Sequence, residues 1–306
     1  VHDPGTGPKL YACGRITPPG GSVAGNVEMW DGSAWQDLGA NLTDSSGYPA
    51  CDSIAWFDDG AGARLYAGGA FSQAAGMPAA NLASWNGTSW SEVGGGLDGW
   101  VTQLAVYDDG SGPALYVAGL FTHAGGQSAN RIAKWNGTSW STLGTGLNDY
   151  VSLLAVVDDG SGSKLYVAGA FTQANGSSAN RFARWSSAGW SAMPLPGGTP
   201  VGLAQFDDGS GPRLWATSGD RVSRWNGTSW TYLGQILGGY SRTLAAIDEG
   251  GGTALYVAGE FDYIQSQPAH NIARYMGGSS WSALGGGVQP GIQGGGVFSL
   301  ISYDSG

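Results

Sequence analysis

The chain has 306 residues, a formal net charge of −10 and a pI near 4.5, a balance that repels a phosphate backbone and gives RNA or DNA binding no support. Charged residues make up only 12% and glycine supplies 56 positions, so short strands and tight turns are expected rather than helices. No apolar run approaches the roughly 20 residues of a membrane-spanning helix, and membrane insertion is not expected.

In chain order, Leu10-Tyr11-Ala12 reads as the first strand, after an opening Val1-His2-Asp3-Pro4-Gly5 that looks like the end of one. Cys13 and Cys51 are the only cysteines. They suit either one disulfide in an oxidising compartment or two small buried thiols, and no Cys-x-x-Cys or histidine cluster points to a metal. Trp30 and Trp35 then bracket the first of a series of turns, repeated at Trp85/Trp90, Trp135/Trp140, Trp185/Trp190, Trp225/Trp230 and, more loosely, Tyr275/Trp281. Several of these turns carry Asn-Gly, whose tolerance of positive φ makes it a strong hairpin signal.

The clearest repeat runs from Val101 to Leu143. Val101–Tyr107 forms a strand A, Asp108-Asp109-Gly110 opens a turn, and Ala114–Phe121 returns as strand B. A longer loop leads to strand C at Arg131–Trp135, and the Asn136-Gly137 turn leads to strand D at Ser139–Leu143. First aromatics of successive pairs lie 55, 50, 50, 40 and 50 residues apart. A period near 50 with four short strands per repeat is the signature of a propeller blade. The expected fold is therefore all-β: a six-bladed β-propeller spanning residues 1–306 as a single domain, with four-stranded blades. A C-terminal strand, Val297 to Tyr303, is expected to complete the first blade and close the ring.

Leu115-Tyr-Val-Ala-Gly-Leu-Phe-Thr122 followed by Ser128-Ala-Asn-Arg-Ile-Ala-Lys-Trp135 resembles the "YVGGxFT…AN.IA.W" repeats of secreted bacterial propellers and fungal cortical-marker proteins, and more distantly kelch. The resemblance implies a propeller in an extracellular or cell-surface setting and carries no catalytic motif.

Residues repeated in every blade are expected to build the frame. The tryptophan pairs read as packing between blades. Asn26, Asn81, Asn130, Asn180 and Asn271, with Asp220, read as one repeat position that bonds local backbone. The Asp-Asp-Gly turns gather 12 of the 23 acidic residues on one face, where calcium is possible but solvated turns are the ordinary outcome.

Function is expected where blades differ, on the face of the B-to-C and D-to-A loops. Trp100, Tyr150 and Tyr240 stand just before strands A, the first two near Asp98 and Asp149. Aromatic platforms beside carboxylates suit sugar rings. Arg15 and Glu260 replace small or apolar residues at one strand-B position of the first and sixth blades, and Arg242, Asp262 and Tyr263 join that cluster. The fifth blade lacks the long B-to-C loop, which is expected to leave a notch in the rim. Two readings follow. One is a noncatalytic recognition or assembly module for carbohydrate or a surface protein. The other is a polysaccharide-active lyase or glycosidase on the same face, for which no nucleophile motif or metal-ligand spacing is present.

Overall fold

The computed structural model describes residues 9–14, 27–44, 46, 50–288 and 296–301. Among them there is no helix, and the fold is all-β. A three-stranded sheet (Leu10–Cys13, Val27–Trp30, Trp35–Asp37) is followed by five antiparallel units of four strands, the fifth sheet in chain order being extended to six by the hairpin Tyr263–Ile264 with Gln267–Pro268. The third sheet shows the pattern: Val101–Asp108, Pro113–Gly119, Ile132–Trp135 and Trp140–Thr142 pair in that order. Strand A of each further sheet is Cys51–Asp58, Val151–Asp158, Gly202–Asp207 and Tyr240–Asp248.

Strand B is apolar along its length because it is covered on both faces; Leu115, Tyr116, Val117 and Ala118 are fully buried. Strands A of consecutive sheets lie against one another from the second sheet to the sixth. A cluster of buried side chains fills each gap between consecutive sheets, such as Tyr116, Leu143 and Leu165 between the third and fourth. Each large apolar side chain so buried contributes roughly 1.5–3 kcal/mol, so the sheets hold together face to face rather than through edge pairing.

The aromatic pairs are the frame, as expected. Each pair is a cross-strand partnership at the head of the C–D hairpin, with rings 5.2–5.7 Å apart. The second indole of a pair also reaches back to the preceding sheet. Trp90 donates to Leu38 O, Trp140 to Gly94 O, Trp190 to Leu143 O, Trp230 to Pro194 O and Trp281 to Leu233 O. A repeated tryptophan thus satisfies its own N–H and an end-of-strand carbonyl in one contact.

The long B-to-C loops fold into two-residue hairpins, His123–Ala124 with Gln127–Ser128 in the third sheet. Each grips the D-to-A connection of the preceding sheet, through bridges such as Leu97 to Ala124 and Leu147 to Ala174. In the sixth sheet the grip becomes a strand pairing of Ile236 and Leu237 with Ile264 and Tyr263.

Three expectations are corrected. The asparagines occupy two positions, not one: Asn81 and Asn271 share their place with Arg131 and Arg181, which all have positive φ and pass their carbonyls to the end of strand B. Asn130 stands one residue earlier, at the place of Ala80 and His270, because loops of equal length, Phe71 to Asn81 and Phe121 to Arg131, carry the asparagine at different positions. Second, the notch of the fifth sheet is covered, since Pro196 O accepts hydrogen bonds from Ser218 and Ser223 and Leu195 packs into the adjoining core. Third, residues 296–301 form no strand; Val297 N–H donates to Gly259 O of the sixth sheet, and residues 302–303 lie outside the described residues.

Candidate ligand-binding site

The alternating strand directions sort the connections to two ends. At one end, the first aspartate of each A–B turn accepts backbone N–H groups, as Asp108 does from Gly110 and Gly112 at 2.8 and 3.0 Å. The second carboxylate is tied to cations and hydroxyls. Asp109 receives Lys134 at 2.9 Å, Ser111 Oγ at 2.6 Å and the indole of Trp185 from the next sheet at 3.0 Å. Asp159 receives Lys164, Arg184 and the Tyr166 hydroxyl, and Asp208 and Glu249 receive Arg224 and Arg274. Burial pulls Asp109 and Asp159 upward, but the hydrogen bonds from Ser111 and Trp185, and from Ser161 and Lys164, hold both well below the usual carboxylate range. Carboxylates so engaged do not fit a calcium ion, which needs their lone pairs free. Among the described residues no group of three or more His, Cys, Asp or Glu is arranged for a metal.

The other end is built on a backbone irregularity. In the second, third, fourth and sixth sheets strand A carries a bulge at Asp52, Thr102, Ser152 and Arg242. The residue before strand A turns its carbonyl onto the glycine that ends strand B. A Cβ at Gly119 would stand 2.0 Å from Trp100 O, and Gly169 and Gly259 are as tightly placed against Tyr150 O and Tyr240 O. Bulges re-aim side chains, and here they set Asp52 and Arg242 beside the aromatics that precede strand A. The fifth sheet has Ser218 where the others have glycine, and its strand A runs without a bulge.

Two groups result. In the first, Trp100 donates its indole N–H to Asp52 Oδ2 at 2.7 Å, leaving the ring 39% exposed. Burial pushes the Asp52 pKa up, the Trp100 bond opposing it. Tyr150, half-buried, has its phenol pushed up by burial and by the charge of Asp52. In the second group the Tyr240 hydroxyl donates to Glu260 Oε2 at 2.9 Å, and Arg242 Nη2 donates to Glu260 Oε1 at 3.0 Å and to the Tyr240 hydroxyl at 2.9 Å. The guanidinium lies 4.5 Å from the Tyr240 ring centre and 5.1 Å from that of Phe298, which is widely exposed. Hydrogen bonds from Tyr240 and Arg242 lower the Glu260 pKa.

The remaining sequence candidates are placed differently. Asp98 clasps a loop, accepting Thr122 and His123 N–H, Thr122 Oγ1 and His123 Nδ1, each within 2.9 Å. Burial raises its pKa, but the Thr122 and His123 bonds hold it well below the ordinary range. Asp149 accepts the N–H of Tyr150 at 2.7 Å. Asp262 lies against Gly238, and Tyr263 is exposed on the sixth hairpin. Arg15 lies outside the described residues, and Glu260 takes Arg242 of its own sheet as its partner. Asp52 was missed by sequence reasoning. Its signal is the position six residues before the turn aspartate, where Asp52 and Arg242 are charged residue types while Thr102, Ser152 and Val201 are not.

Residues 163–189, from strand B of the fourth sheet to its C–D turn, match the model of a family described as "Domain of unknown function (DUF5122) beta-propeller". With sheets packed face to face through successive strands A, the fold is of the β-propeller type. No curated protein matches the sequence significantly. Among solved structures, a presumed gluconolactonase aligns over 77% of this chain and 80% of its own, with 13% identity and a TM-score of 0.43. The SapL1 lectin in complex with alpha methyl fucoside aligns over 86% of this chain and 88% of its own, with 20% identity and a TM-score of 0.38.

Proposed function

We propose that the six sheets close into a six-bladed ring and that its bulged end is a noncatalytic recognition surface for carbohydrate. The observation that carries this reading is the Trp100–Asp52 pair with Tyr150 beside it. An exposed indole face next to a carboxylate offers a sugar both of its needs, a flat apolar surface for the C–H face and an acceptor for hydroxyls. Tyr240, Arg242 and Glu260 supply a second polar and aromatic group at the same end.

Recognition is favoured over hydrolysis by the state of the carboxylates. A glycosidase needs two carboxyl groups flanking the scissile bond, one of them a proton donor. Glu260 is held ionised by Tyr240 and Arg242, Asp98 is consumed by its loop, and Asp52 is bonded to the Trp100 indole. The secreted-propeller resemblance of the repeat supports an extracellular setting, in which rigid blades also suit assembly into a surface layer.

A panel of glycans and polysaccharides, scored for binding and for released product, tests the proposal. Binding without product, lost in Trp100→Ala and weakened in Asp52→Asn, is the expected result. Product that disappears in Glu260→Gln or Asp52→Asn would replace recognition with catalysis, and unchanged binding by all three variants would place the surface elsewhere.

A further inference from the structure

The repeat sets one residue near the end of strand B against one at the start of the next sheet's strand A. Between the second and third sheets these are Gly68 and Val101: a Cβ at Gly68 would stand 3.1 Å from Val101 Cβ and 2.4 Å from its Cγ1. Between the third and fourth they are Ala118 and Val151, both fully buried in one cluster. Between the fifth and sixth they are Thr217 and Ser241, whose hydroxyls are hydrogen-bonded to each other. Between the first and second sheets the same two places hold Cys13 and Cys51, the only cysteines of the chain.

The strand Leu10–Cys13 lies against the strand Cys51–Asp58, and both cysteines belong to the core cluster between those sheets. Their thiols are in hydrogen-bond contact, and Cys51 Sγ has Ser53 O at 3.9 Å as a second partner. The Cβ atoms of a disulfide stand about 3.5–4.5 Å apart, close to the spacing that the repeat gives these two places. Strand pairing holds each residue from its other side, Cys13 opposite Val27 and Cys51 opposite Gly69, so the backbone delivers the two sulfurs to each other. They differ in access, since Cys51 is buried and Cys13 is half-buried.

We propose that Cys13 and Cys51 are a dithiol–disulfide pair that an external disulfide oxidises, joining the first sheet covalently to the second. The order of steps follows from the unequal access. Cys13, as its thiolate, attacks one sulfur of the external disulfide; that S–S bond breaks, and the thiolate that leaves takes up the proton Cys13 gave up. Cys51, as its thiolate, then attacks Cys13 Sγ, forming the internal bond and expelling the second external thiolate, which takes up the Cys51 proton. Two electrons and two hydrogens thus pass to the external disulfide, which ends as two thiols. Burial, and after it contact with the Cys13 thiol, keeps the Cys51 thiolate scarce, so Cys13 initiates and Cys51 resolves. The bond closes a loop over residues 13–51 that contains the C–D hairpin of the first sheet, and it anchors strand A beside the bulge residue Asp52.

The test exposes the purified, reduced chain to excess oxidised glutathione under native conditions, quenches it in denaturant with N-ethylmaleimide and measures the intact mass. The expected product has lost two hydrogens and carries neither glutathione nor maleimide. After trypsin it joins the peptide 10–15 to the peptide 16–64, because cleavage at Arg15 falls between the cysteines. Its Tm should exceed that of the reduced chain by several degrees and fall back on treatment with dithiothreitol. Cys51→Ser should instead keep one glutathione on Cys13. Two alkylated thiols, a lasting glutathione adduct on the unmodified chain, a disulfide between two chains, or an oxidised form that melts below the reduced one would each overturn the assignment. None of these outcomes bears on carbohydrate recognition at the bulged end.

Discussion

The indole of Trp100 donates to Asp52 Oδ2 at 2.7 Å, joining two residues 48 positions apart on neighbouring sheets. The contact depends on a bulge and a glycine: Asp52 is itself a bulge residue, and Trp100 is seated by its carbonyl against Gly119. A polar contact of this kind does two things at once. It fixes the tilt of an exposed ring, and it keeps a carboxylate in surroundings that disfavour its charge.

The second effect gives a pH dependence with a defined sign. Burial raises the Asp52 pKa in the folded chain, so its contribution to stability is fully present below the unfolded value and is lost as pH rises through the folded value. Asp52→Asn should accordingly raise Tm at pH 7, and the advantage over the unmodified chain should vanish below about pH 4. Thermal melts of both proteins from pH 3 to 8 check this; a lower Tm for the variant at pH 7 would contradict it.

Gly119 should resist any side chain. A Cβ there meets Trp100 O at 2.0 Å and Trp100 C at 3.0 Å, both backbone atoms that cannot rotate away. Gly119→Ala is expected to cost about 2–3 kcal/mol in urea unfolding, in the range of overpacked cores, and to weaken ligand binding by displacing the Trp100 ring. A variant with unaltered unfolding and binding would show that the bulge does not position the indole.

Asp159 should show the opposite pH behaviour from Asp52. Although burial raises its pKa, bonds from Ser161, Lys164 and Tyr166 and the Lys164 charge hold it well below the ordinary range. Its stabilisation is present above the unfolded carboxylate pKa and lost as pH falls through the depressed value. Asp159→Asn should cost about 2–3 kcal/mol at pH 7, less than a fully buried pair because Arg184 is partly exposed. The difference should narrow below about pH 4.

The cysteines can be distinguished by labelling. Both are free thiols within one core cluster; Cys51 is buried, and Cys13 packs against the same group at half-exposure. Burial, followed by contact with the Cys13 thiol, pushes the Cys51 thiol well up and makes its thiolate scarce. At most one thiol per chain should react under native conditions and two after denaturation. Two that react natively would mean the first and second sheets part readily, and none after denaturation without reductant would mean a disulfide joins them.

Much of the architecture was legible because it is periodic. The Trp135/Trp140 spacing and the Asn136-Gly137 turn announced a C–D hairpin, and the structure pairs those two residues across it. Of the candidate residues, Tyr240, Arg242 and Glu260 form one hydrogen-bonded group and Trp100 bonds Asp52, which the sequence reading did not single out, while Asp98 serves its loop. Matching by residue type placed Asn81 and Asn130 at one position, and only the hydrogen bonds show that Arg131, not Asn130, passes its carbonyl to strand B as Asn81 does.

By itself the sequence determined the all-β class, the repeat and the frame of aromatic pairs, since strand alternation, turn chemistry and hairpin spacing are local properties of the chain. Only the tertiary structure decided what the charged residues do. Asp59, Asp98 and Asp109 look alike as acidic loop residues; one faces a cavity, one clasps a hairpin and one is locked by Lys134 and Trp185. A carboxylate's role depends on which donors approach within about 3 Å, and at Asp98 and Asp109 the deciding donors come from residues 24 to 76 positions away.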